Sequence, residues 1–189
     1  MNKAEAIKNL RKLTAPPEAL EKDFWSAPSF APGIAKGSLV ELVGNARTEW
    51  LLELFKLHQD ALIFWCEKEV AVNPTAIHQR GIALERIKFI TSSAHLQQSL
   101  RLALQSGQYP FVVAPTAFEE VRVFQRLQLL AEKSKSTLFF LAKEKFSAAW
   151  PISLQMDIHF SDDGMKITVA RQKHGSQEFQ KSSDSCQDQ

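Results

Sequence analysis

Cysteine is scarce in this sequence, and neither cysteine has a partner at a useful spacing. Cys66 lies in an apolar run, and Cys186 lies in a polar segment near the C-terminal end. The five histidines are dispersed, without the paired spacing typical of metal ligands. No Gly-x-Ser-x-Gly motif occurs. We therefore expect no disulfide, no bound metal, no nucleophilic catalysis and a reducing, cytoplasmic environment.

The sequence also lacks a dominant charge and a long apolar run. The 23 Lys and Arg residues nearly balance the 21 Asp and Glu residues, for a net charge of +2. The overall charge therefore gives no reason to expect nucleic acid or an anionic membrane as a partner. No run approaches the roughly 18 apolar residues of a membrane span. The start, MNKAEAIKNL, has no apolar signal core, so we expect neither export nor membrane insertion.

Residues 32–54 come nearer to a nucleotide site than any other stretch. Residues 38–43 (SLVELV) form a short, mostly apolar run that is typical of a buried strand, and Gly44 ends it. The following residues lead into WLLELF, whose apolar spacing is helical and whose expected N-cap is Thr48. A strand, a glycine turn and a helix in this order are the layout of a phosphate-binding loop.

The residues that bind phosphate in such a loop are missing. The P-loop G-x-x-x-x-G-K-[ST] uses its second glycine for close backbone approach, lysine for charge and a hydroxyl for Mg²⁺. Counted from Gly44, these positions hold Glu49, Trp50 and Leu51. We expect the indole and the acid to fill the pocket, which predicts that no nucleotide cofactor binds. Arg47 could contact a phosphate at the helix N-terminus, but we interpret it as a solvated turn residue.

Apolar strands alternate with amphipathic helices in the rest of the chain. The predicted strands cover residues 61–66, 87–90, 111–114 and 137–141, and the predicted helices begin near residue 74 and cover 94–106 and 118–133. This alternation predicts an α/β fold with a mainly parallel sheet and helices on both faces. Residues 154–160 and 165–170 flank a Ser-Asp-Asp-Gly turn and predict a C-terminal antiparallel hairpin. Its solvent face should include Gln155, Asp157 and His159.

Both ends of the chain differ from this core. Residues 4–13 predict an amphipathic helix with Ile7, Leu10 and Leu13 on its apolar stripe, and the proline-punctuated residues 14–32 predict an extended linker. Residues 172–189 are polar and rich in Ser and Gln, which is typical of disorder. We therefore assign residues 1–31 to a helix and linker, 32–171 to a folded domain and 172–189 to a tail.

Over roughly residues 32–179 the order of elements resembles the core of the RecA-family ATPases. The resemblance is carried by PGIAKGSLVELVG before the phosphate loop, LIFWCEKEVAVNP around the second strand, RGIALERIKFITSSAHLQQSLRLALQSGQYPFVVAP through the fourth strand, and the final ITVARQKHGSQEF. It implies a RecA-like three-layer fold. It also implies an Asp at the end of the fourth strand, where this chain has Ala114. Glu69 stands where the family places the Glu that activates water.

These departures predict that the protein is not an enzyme. Without the lysine and the metal, Glu69 alone cannot stabilise charge on a transferred phosphoryl group, and we interpret it as a solvated loop carboxylate. The positions that match the DNA-binding loops of RecA are short. Lys143, Lys145 and Trp150 are the nucleic-acid candidates there, through phosphate contact and stacking, although a surface loop with a buried Trp explains them more simply.

Two groups of RecA-like proteins with a degenerate P-loop are similar to this chain. ImuA-type proteins accompany an inactive Y-family polymerase homologue in damage-induced mutagenesis, and SulA-type proteins block FtsZ assembly. The Phe24-Trp25 segment, the strand-Gly44-helix unit and the ITVARQKHGSQ ending resemble the ImuA type more. That resemblance implies a pseudo-ATPase adaptor in the bacterial SOS response, in translesion synthesis, with a Y-family polymerase homologue or RecA as partner.

Several alternatives to this role stay open at the level of the sequence. The chain could be an inhibitor of FtsZ assembly, a divergent ATPase that uses Arg47 and Glu69, or a binder of single-stranded DNA. An exposed cluster among the four aromatic residues that are hardest to assign would be a partner site: Trp25, Phe30, Trp50 and Trp150. The candidate partner contacts are Ile7, Leu10 and Leu13 of the predicted helix together with Phe24 and Trp25. Self-association is also open.

Overall fold

The computed structural model describes residues 23–69, 72–91, 94–116, 118–143 and 145–173. The predicted helix over residues 4–13, with its candidate contacts Ile7, Leu10 and Leu13, lies outside the described residues. Nearly all of the predicted tail over residues 172–189 lies outside them as well.

Nine strands are present in the described part of the chain. They are Phe24–Ala27 (β1), Phe30–Ala35 (β2), Leu39–Val43 (β3), Ile63–Glu67 (β4), Ile87–Thr91 (β5), Phe111–Pro115 (β6), Thr137–Leu141 (β7), Leu154–Ser161 (β8) and Gly164–Gln172 (β9). Seven of them form one sheet in the order β5-β4-β6-β7-β3-β8-β9. Its neighbouring strands are parallel except for the antiparallel β8–β9 pair. The predicted mainly parallel sheet and C-terminal hairpin are thereby confirmed.

Helices cover both faces of this sheet, as predicted. The helices are Arg47–Leu57 (α1), Pro74–Gln79 (α2), Leu96–Ser106 (α3) and Val121–Ser134 (α4), with a short 3-10 turn at Leu84–Arg86. Alternate residues of each strand point to opposite faces. In β4, for example, Trp65 packs in the core formed with α1 and α2, whereas Phe64 packs in the core formed with α3 and α4.

Helix α4 differs from its prediction in where it begins. It starts at Val121 rather than at residue 118. Phe118 instead contacts the rings of Phe124 and Phe140 from the preceding loop, at centroid distances of 6.0 and 6.3 Å. Val121 is exposed and Val123 is buried. The core contact of Phe118 thus replaces the first helical turn that the sequence pattern predicted.

The described part of the predicted linker forms an antiparallel hairpin, β1–β2. Its extended conformation was expected, but its pairing into a hairpin was not. The ring of Trp25 lies 4.9 Å from that of Phe111, and its indole N–H donates to Thr137 Oγ1 at 3.2 Å. Phe30 and Ile34 are buried in the same core as α1. The hairpin therefore packs as part of the folded domain.

The C-terminal hairpin has a less regular exposed face than its alternating sequence predicts. His159 is exposed and Asp157 is partly exposed, in agreement with the pattern. Gln155 was expected on the same solvent face and is instead buried. The reason is that β8 lies between β3 and β9, so that Gln155 reaches the buried carboxylate of Glu41 at 2.7 Å. None of the helices in the described ranges is long and apolar enough to cross a bilayer.

Candidate functional site

The connection between β3 and α1 is the position of the predicted phosphate loop. It consists of residues 44–46, because β3 ends at Val43 and α1 begins at Arg47. The backbone N–H of Trp50 donates to the carbonyl of Ala46 at 2.9 Å. Ala46 is therefore the N-cap, and the expectation that Thr48 caps the helix is wrong. Gly44 has a φ of +91°, which turns the chain directly from the strand into the helix.

Strand β8 packs tightly against this connection. The N–H of Ala46 donates to the carbonyl of Ile158 at 3.0 Å, and the side-chain oxygen of Asn45 accepts from the N–H of Phe160 at 3.1 Å. A Cβ on Gly44 would lie 2.7 Å from a carboxylate oxygen of Asp157 and closer still to the carbonyl oxygen of Ile158. A phosphate-binding loop wraps its ligand with free backbone N–H groups. Here the N–H of Ala46 already donates to the carbonyl of Ile158 in β8, so it is not free to bind a phosphate.

Arg47 is bound to its own loop rather than solvated, contrary to our interpretation of the sequence. Its Nη1 donates to the carbonyl of Gly44 at 2.6 Å. Its Nε is buried and has no hydrogen-bond partner within the described part of the chain. The guanidinium is thus a partly buried cation at the start of α1, and one of its donors is left for a further acceptor.

The three residues at the positions of the P-loop Gly, Lys and Ser/Thr point in different directions. The carboxylate of Glu49 pairs with Arg80 of the loop after α2, at 2.8 Å from its Nε. Trp50 and Leu51 are fully buried, and the Trp50 indole donates to the carbonyl of Pro28 at 2.8 Å. The expectation that the indole fills a nucleotide pocket is therefore wrong. A buried indole N–H needs an acceptor, and the β1–β2 turn supplies it on the core side of α1.

An open cleft of about 1030 Å³ lies at the carboxyl ends of β4, β6 and β7, bounded by α1 and α2. In open parallel sheets, ligands bind at this edge. The charged side chains on its walls are Arg47, Lys68, Arg80, Lys143, Lys145, Glu49, Glu67 and Glu69. Its apolar lining includes Leu52, Val72 and Ile77. The cleft thus combines an apolar wall with charges of both signs.

Two of the three acids in the cleft are already engaged. Glu49 pairs with Arg80, and this hydrogen bond and charge raise the pKa of the Arg80 guanidinium. Glu67 accepts from the indole N–H of Trp65 at 2.8 Å and from the N–H of Val72 at 3.3 Å. Glu69 is exposed, as expected of a solvated loop carboxylate. In the described part of the chain, no ion pair joins Lys68, Lys143 or Lys145 to an acid of the cleft, although Lys68 lies between Glu67 and Glu69 in the sequence.

Cys66 borders the same cleft, but its thiol is held in the protonated form. Burial, and to a lesser extent the charge of Glu67, raise the pKa of Cys66 to about 11. A protonated thiol is a poor nucleophile. Among the described residues, no group of three or more His, Cys, Asp or Glu side chains is arranged to hold a metal ion.

The structure separates the nucleic-acid candidates of the sequence. Lys143 and Lys145 are exposed on the cleft wall, together with Lys68, which sequence analysis did not single out. Trp150, which was expected to be buried, is 55% exposed and lies beside Lys173, whose Nζ is 5.2 Å from the ring centroid. The position of Lys68 directly after an apolar strand was the available signal, because the ends of parallel strands share one edge.

Glu41 is a further residue that sequence analysis missed. Although it carries a carboxylate, it is fully buried within the otherwise apolar run of β3. Its carboxylate accepts from Gln155 Nε2 at 2.7 Å, from the N–H of Ser147 at 2.8 Å and from Thr116 Oγ1 at 3.3 Å. It therefore ties β3 to β8 and to the β7–β8 connection, which carries Lys143 and Lys145. The lone charge in SLVELV was the signal.

The remaining candidates of the sequence are distributed over the domain. Ala114 is buried in β6, so the family's metal-binding carboxylate has no counterpart at this position. Phe24 is 42% exposed, whereas Trp25 is partly buried with its ring over the core. Trp25, Phe30, Trp50 and Trp150 do not form an exposed cluster together, because Phe30 and Trp50 are buried.

No protein-family model and no curated protein matches this sequence. Among solved structures, the chain is similar to the crystal structure of the RadB recombinase, with a TM-score of 0.61 and 13% sequence identity. The similarity covers 78% of this chain and 87% of that one. At this level of identity the likeness concerns the fold alone. Together with the strand order and the helices on both faces, it shows that the chain has a RecA-like fold.

Proposed function

We propose that the protein is a non-catalytic RecA-like accessory protein that acts through protein–protein contacts. The observation that carries this proposal is the connection after β3. It is three residues long, from Gly44 to Ala46, and it is packed against β8. The helix that follows places a carboxylate, Glu49, where a P-loop has its second glycine.

The chemistry of phosphoryl transfer gives further support. Catalysis of this reaction depends on cations and a metal that stabilise charge on the transferred group. The lysine position holds Trp50, whose side chain is buried against the β1–β2 turn. The position of the metal-binding Asp holds Ala114. The exposed Glu69 could activate a water, but nothing at these positions would stabilise the phosphoryl group.

The resemblance of the sequence to ImuA-type proteins supports a role in the bacterial SOS response. In this role the protein is an adaptor in translesion synthesis, and its partner is a Y-family polymerase homologue or RecA. The alternative is inhibition of FtsZ assembly, as in the SulA-type proteins. Both roles require the same scaffold without nucleotide chemistry, so the identity of the bound protein distinguishes them.

A nucleotide-binding and turnover assay tests the absence of catalysis. Mg²⁺·ATP titrated into the protein in a calorimeter should give no heat beyond dilution, and phosphate release should equal that of the buffer. Glu69→Gln should change neither result. Glu119→Gln, at an exposed position before α4, is the matched control. Turnover by the wild type that Glu69→Gln abolishes and Glu119→Gln retains would establish a divergent ATPase and overturn the proposal.

A binding assay with purified candidate partners tests the cellular role. We expect the Y-family polymerase homologue or RecA from the same organism to be retained by the immobilised protein, and FtsZ not to be retained. Deletion of residues 1–13 should weaken retention. Selective retention of FtsZ, with filamentous cells on overexpression, would favour the cell-division role. Retention of every partner by the deletion variant would remove the predicted helix from the interface.

A further inference from the structure

We propose that the cleft at the carboxyl ends of β4, β6 and β7 binds an acidic peptide segment of a partner protein. The inference rests on the proposed function, since it names the chemistry of one protein contact. The cleft measures about 1030 Å³. Typical small-molecule pockets span about 300–1,000 Å³, so the cleft has room for a short stretch of polypeptide.

The charges on its walls indicate an anionic ligand. Lys68, Lys143 and Lys145 are exposed on the lining and form no ion pair with any residue in the described ranges. Arg47 adds a cation at the N-terminus of α1, and its buried Nε lacks a hydrogen-bond partner within the same ranges. A carboxylate brought into the cleft would supply acceptors to the exposed lysine ammonium groups and would lie at the positive end of the helix dipole.

The other lining residues favour a peptide over a nucleic-acid strand. A strand carries a charge at every nucleotide, and it would have to pass Glu49, Glu67 and Glu69 on the same lining. Strand binding also uses exposed aromatic rings for stacking. Trp65 borders the cleft but is fully buried, and Trp150 lies outside its lining.

A peptide fits this mixed surface better than a polyanion does. Its carboxylates can be separated by apolar side chains, so the charges need to meet only the cations. The apolar side chains can then lie against the side of the cleft formed by Leu52, Val72 and Ile77. Charge complementarity at the rim and apolar anchors in the centre are the usual division of roles in protein interfaces.

Both described ends of this chain lie at the opposite edge of the sheet. Asp23 is within 3.8 Å of Lys36, which precedes β3, and within 3.9 Å of Lys135, which precedes β7. The N–H of Lys173 donates to the carbonyl of Ser153, directly before β8. The chain therefore enters and leaves the described domain at the amino ends of the parallel strands. The residues that the structure describes leave the cleft at their carboxyl ends open to a segment of another protein.

Selection from a random-peptide display library tests this assignment. The library is screened on the full-length protein and on two triple variants with the same change in net charge. The cleft variant is Lys68→Glu with Lys143→Glu and Lys145→Glu, and the control variant is Lys88→Glu with Lys133→Glu and Lys166→Glu, at exposed positions outside the cleft. Circular dichroism of each variant verifies its folding before selection.

The wild type and the control variant should enrich peptides that combine net negative charge with large apolar residues. One enriched peptide is synthesised and labelled, and its binding is measured by fluorescence anisotropy. Its Kd values for the wild type and the control variant should agree within about threefold, or about 0.7 kcal/mol. Its Kd for the cleft variant should be at least about tenfold higher, or about 1.4 kcal/mol. Enrichment of neutral or basic peptides, or equal loss in the two variants, would overturn the assignment. Tighter binding of labelled oligo-dT, lost only in the cleft variant, would assign the cleft to single-stranded nucleic acid instead.

The peptide assay and the nucleotide assay test separate claims, so a negative result in one does not decide the other. If no acidic peptide binds and Mg²⁺·ATP is not turned over, the accessory role stands and only the cleft assignment is wrong. If Mg²⁺·ATP is turned over while acidic peptides still bind in a manner that requires the cleft lysines, the proposed absence of catalysis is wrong and the peptide site remains.

Discussion

Replacing Gly44 by alanine tests whether β8 closes the connection between β3 and α1. Gly44 has a φ of +91° and Gly81 a φ of +81°, so alanine is strained at both positions, at a cost of about 1–2 kcal/mol each. At Gly44 the added methyl group also meets the Ile158 carbonyl and, at 2.7 Å, the Asp157 carboxylate. At Gly81 no atom lies within 4 Å of the added methyl group. Gly81→Ala is therefore a control for backbone strain alone.

The two variants should differ by the cost of moving β8. Forcing extra volume into a packed site costs about 1–3 kcal/mol. Added to the strain, this gives a loss in the free energy of unfolding of about 2–5 kcal/mol for Gly44→Ala, against about 1–2 kcal/mol for Gly81→Ala. In a chain of this size, 1 kcal/mol corresponds to about 2–4 °C in Tm, so the extra loss at Gly44 should be about 2–12 °C.

Urea unfolding followed by tryptophan fluorescence measures these losses, since Trp50 is fully buried in the folded chain. Hydrogen exchange adds a local measurement, because the Ala46 N–H donates to the Ile158 carbonyl. This N–H should exchange faster in Gly44→Ala, relative to global unfolding, than in the wild type. Equal losses of stability in the two alanine variants would refute the reasoning. The connection would then be free of β8, and the main support for the absence of nucleotide binding would fall.

Three further substitutions test buried polar groups. Gln155→Met removes a donor from the buried Glu41 carboxylate and should lower the free energy of unfolding by about 1.5–3 kcal/mol in urea titrations. Trp50→Phe leaves the Pro28 carbonyl without its indole donor and should cost about 1–3 kcal/mol by thermal unfolding. Burial raises the pKa of Cys66 from 9.0 to about 11, so the unfolded chain ionises first as the pH rises. The free energy by which the neutral thiol stabilises the folded chain is fully present below pH 9 and is lost as the pH rises towards 11. From pH 8 to 10, the wild type should lose about 1 kcal/mol more than Cys66→Ala.

Gln155→Met has a matched control, and both the Gln155 and the Cys66 predictions have an outcome that would contradict them. The control is Gln98→Met, at an exposed position of α3, whose free energy of unfolding should stay within about 0.5 kcal/mol of the wild type. A similar loss of stability at both glutamines would show that the loss at Gln155 does not come from its hydrogen bond to the Glu41 carboxylate. Glu41→Leu combined with Gln155→Met should cost less than the two single changes together, because the side chains are in contact. A strictly additive pair would contradict the network. If the free energies of unfolding of the wild type and Cys66→Ala change with pH in the same way, the thiol of Cys66 is not buried in its neutral form.

Several elements of the fold follow from the sequence alone. The parallel strands and the C-terminal hairpin were predicted, because the periodicity of side chains along a strand or helix is a local property. The apolar runs of β4, β6 and β7 and the amphipathic pattern of α3 gave the alternation from which a parallel sheet follows. The missing lysine and hydroxyl after Gly44 are likewise visible without coordinates. The exposure of Glu69 was correctly expected as well.

The closure of the loop and the composition of the cleft were decided by tertiary structure. Glu41 and Gln155 are 114 positions apart and meet only because β8 lies beside β3. The direction of the Trp50 indole depends on the turn at Pro28, and Lys68 joins Lys143 only at the common edge of the sheet. Such contacts leave no periodic trace in the chain, since they depend on which strands become neighbours. Local pattern determines the elements, and strand order determines which of their side chains meet.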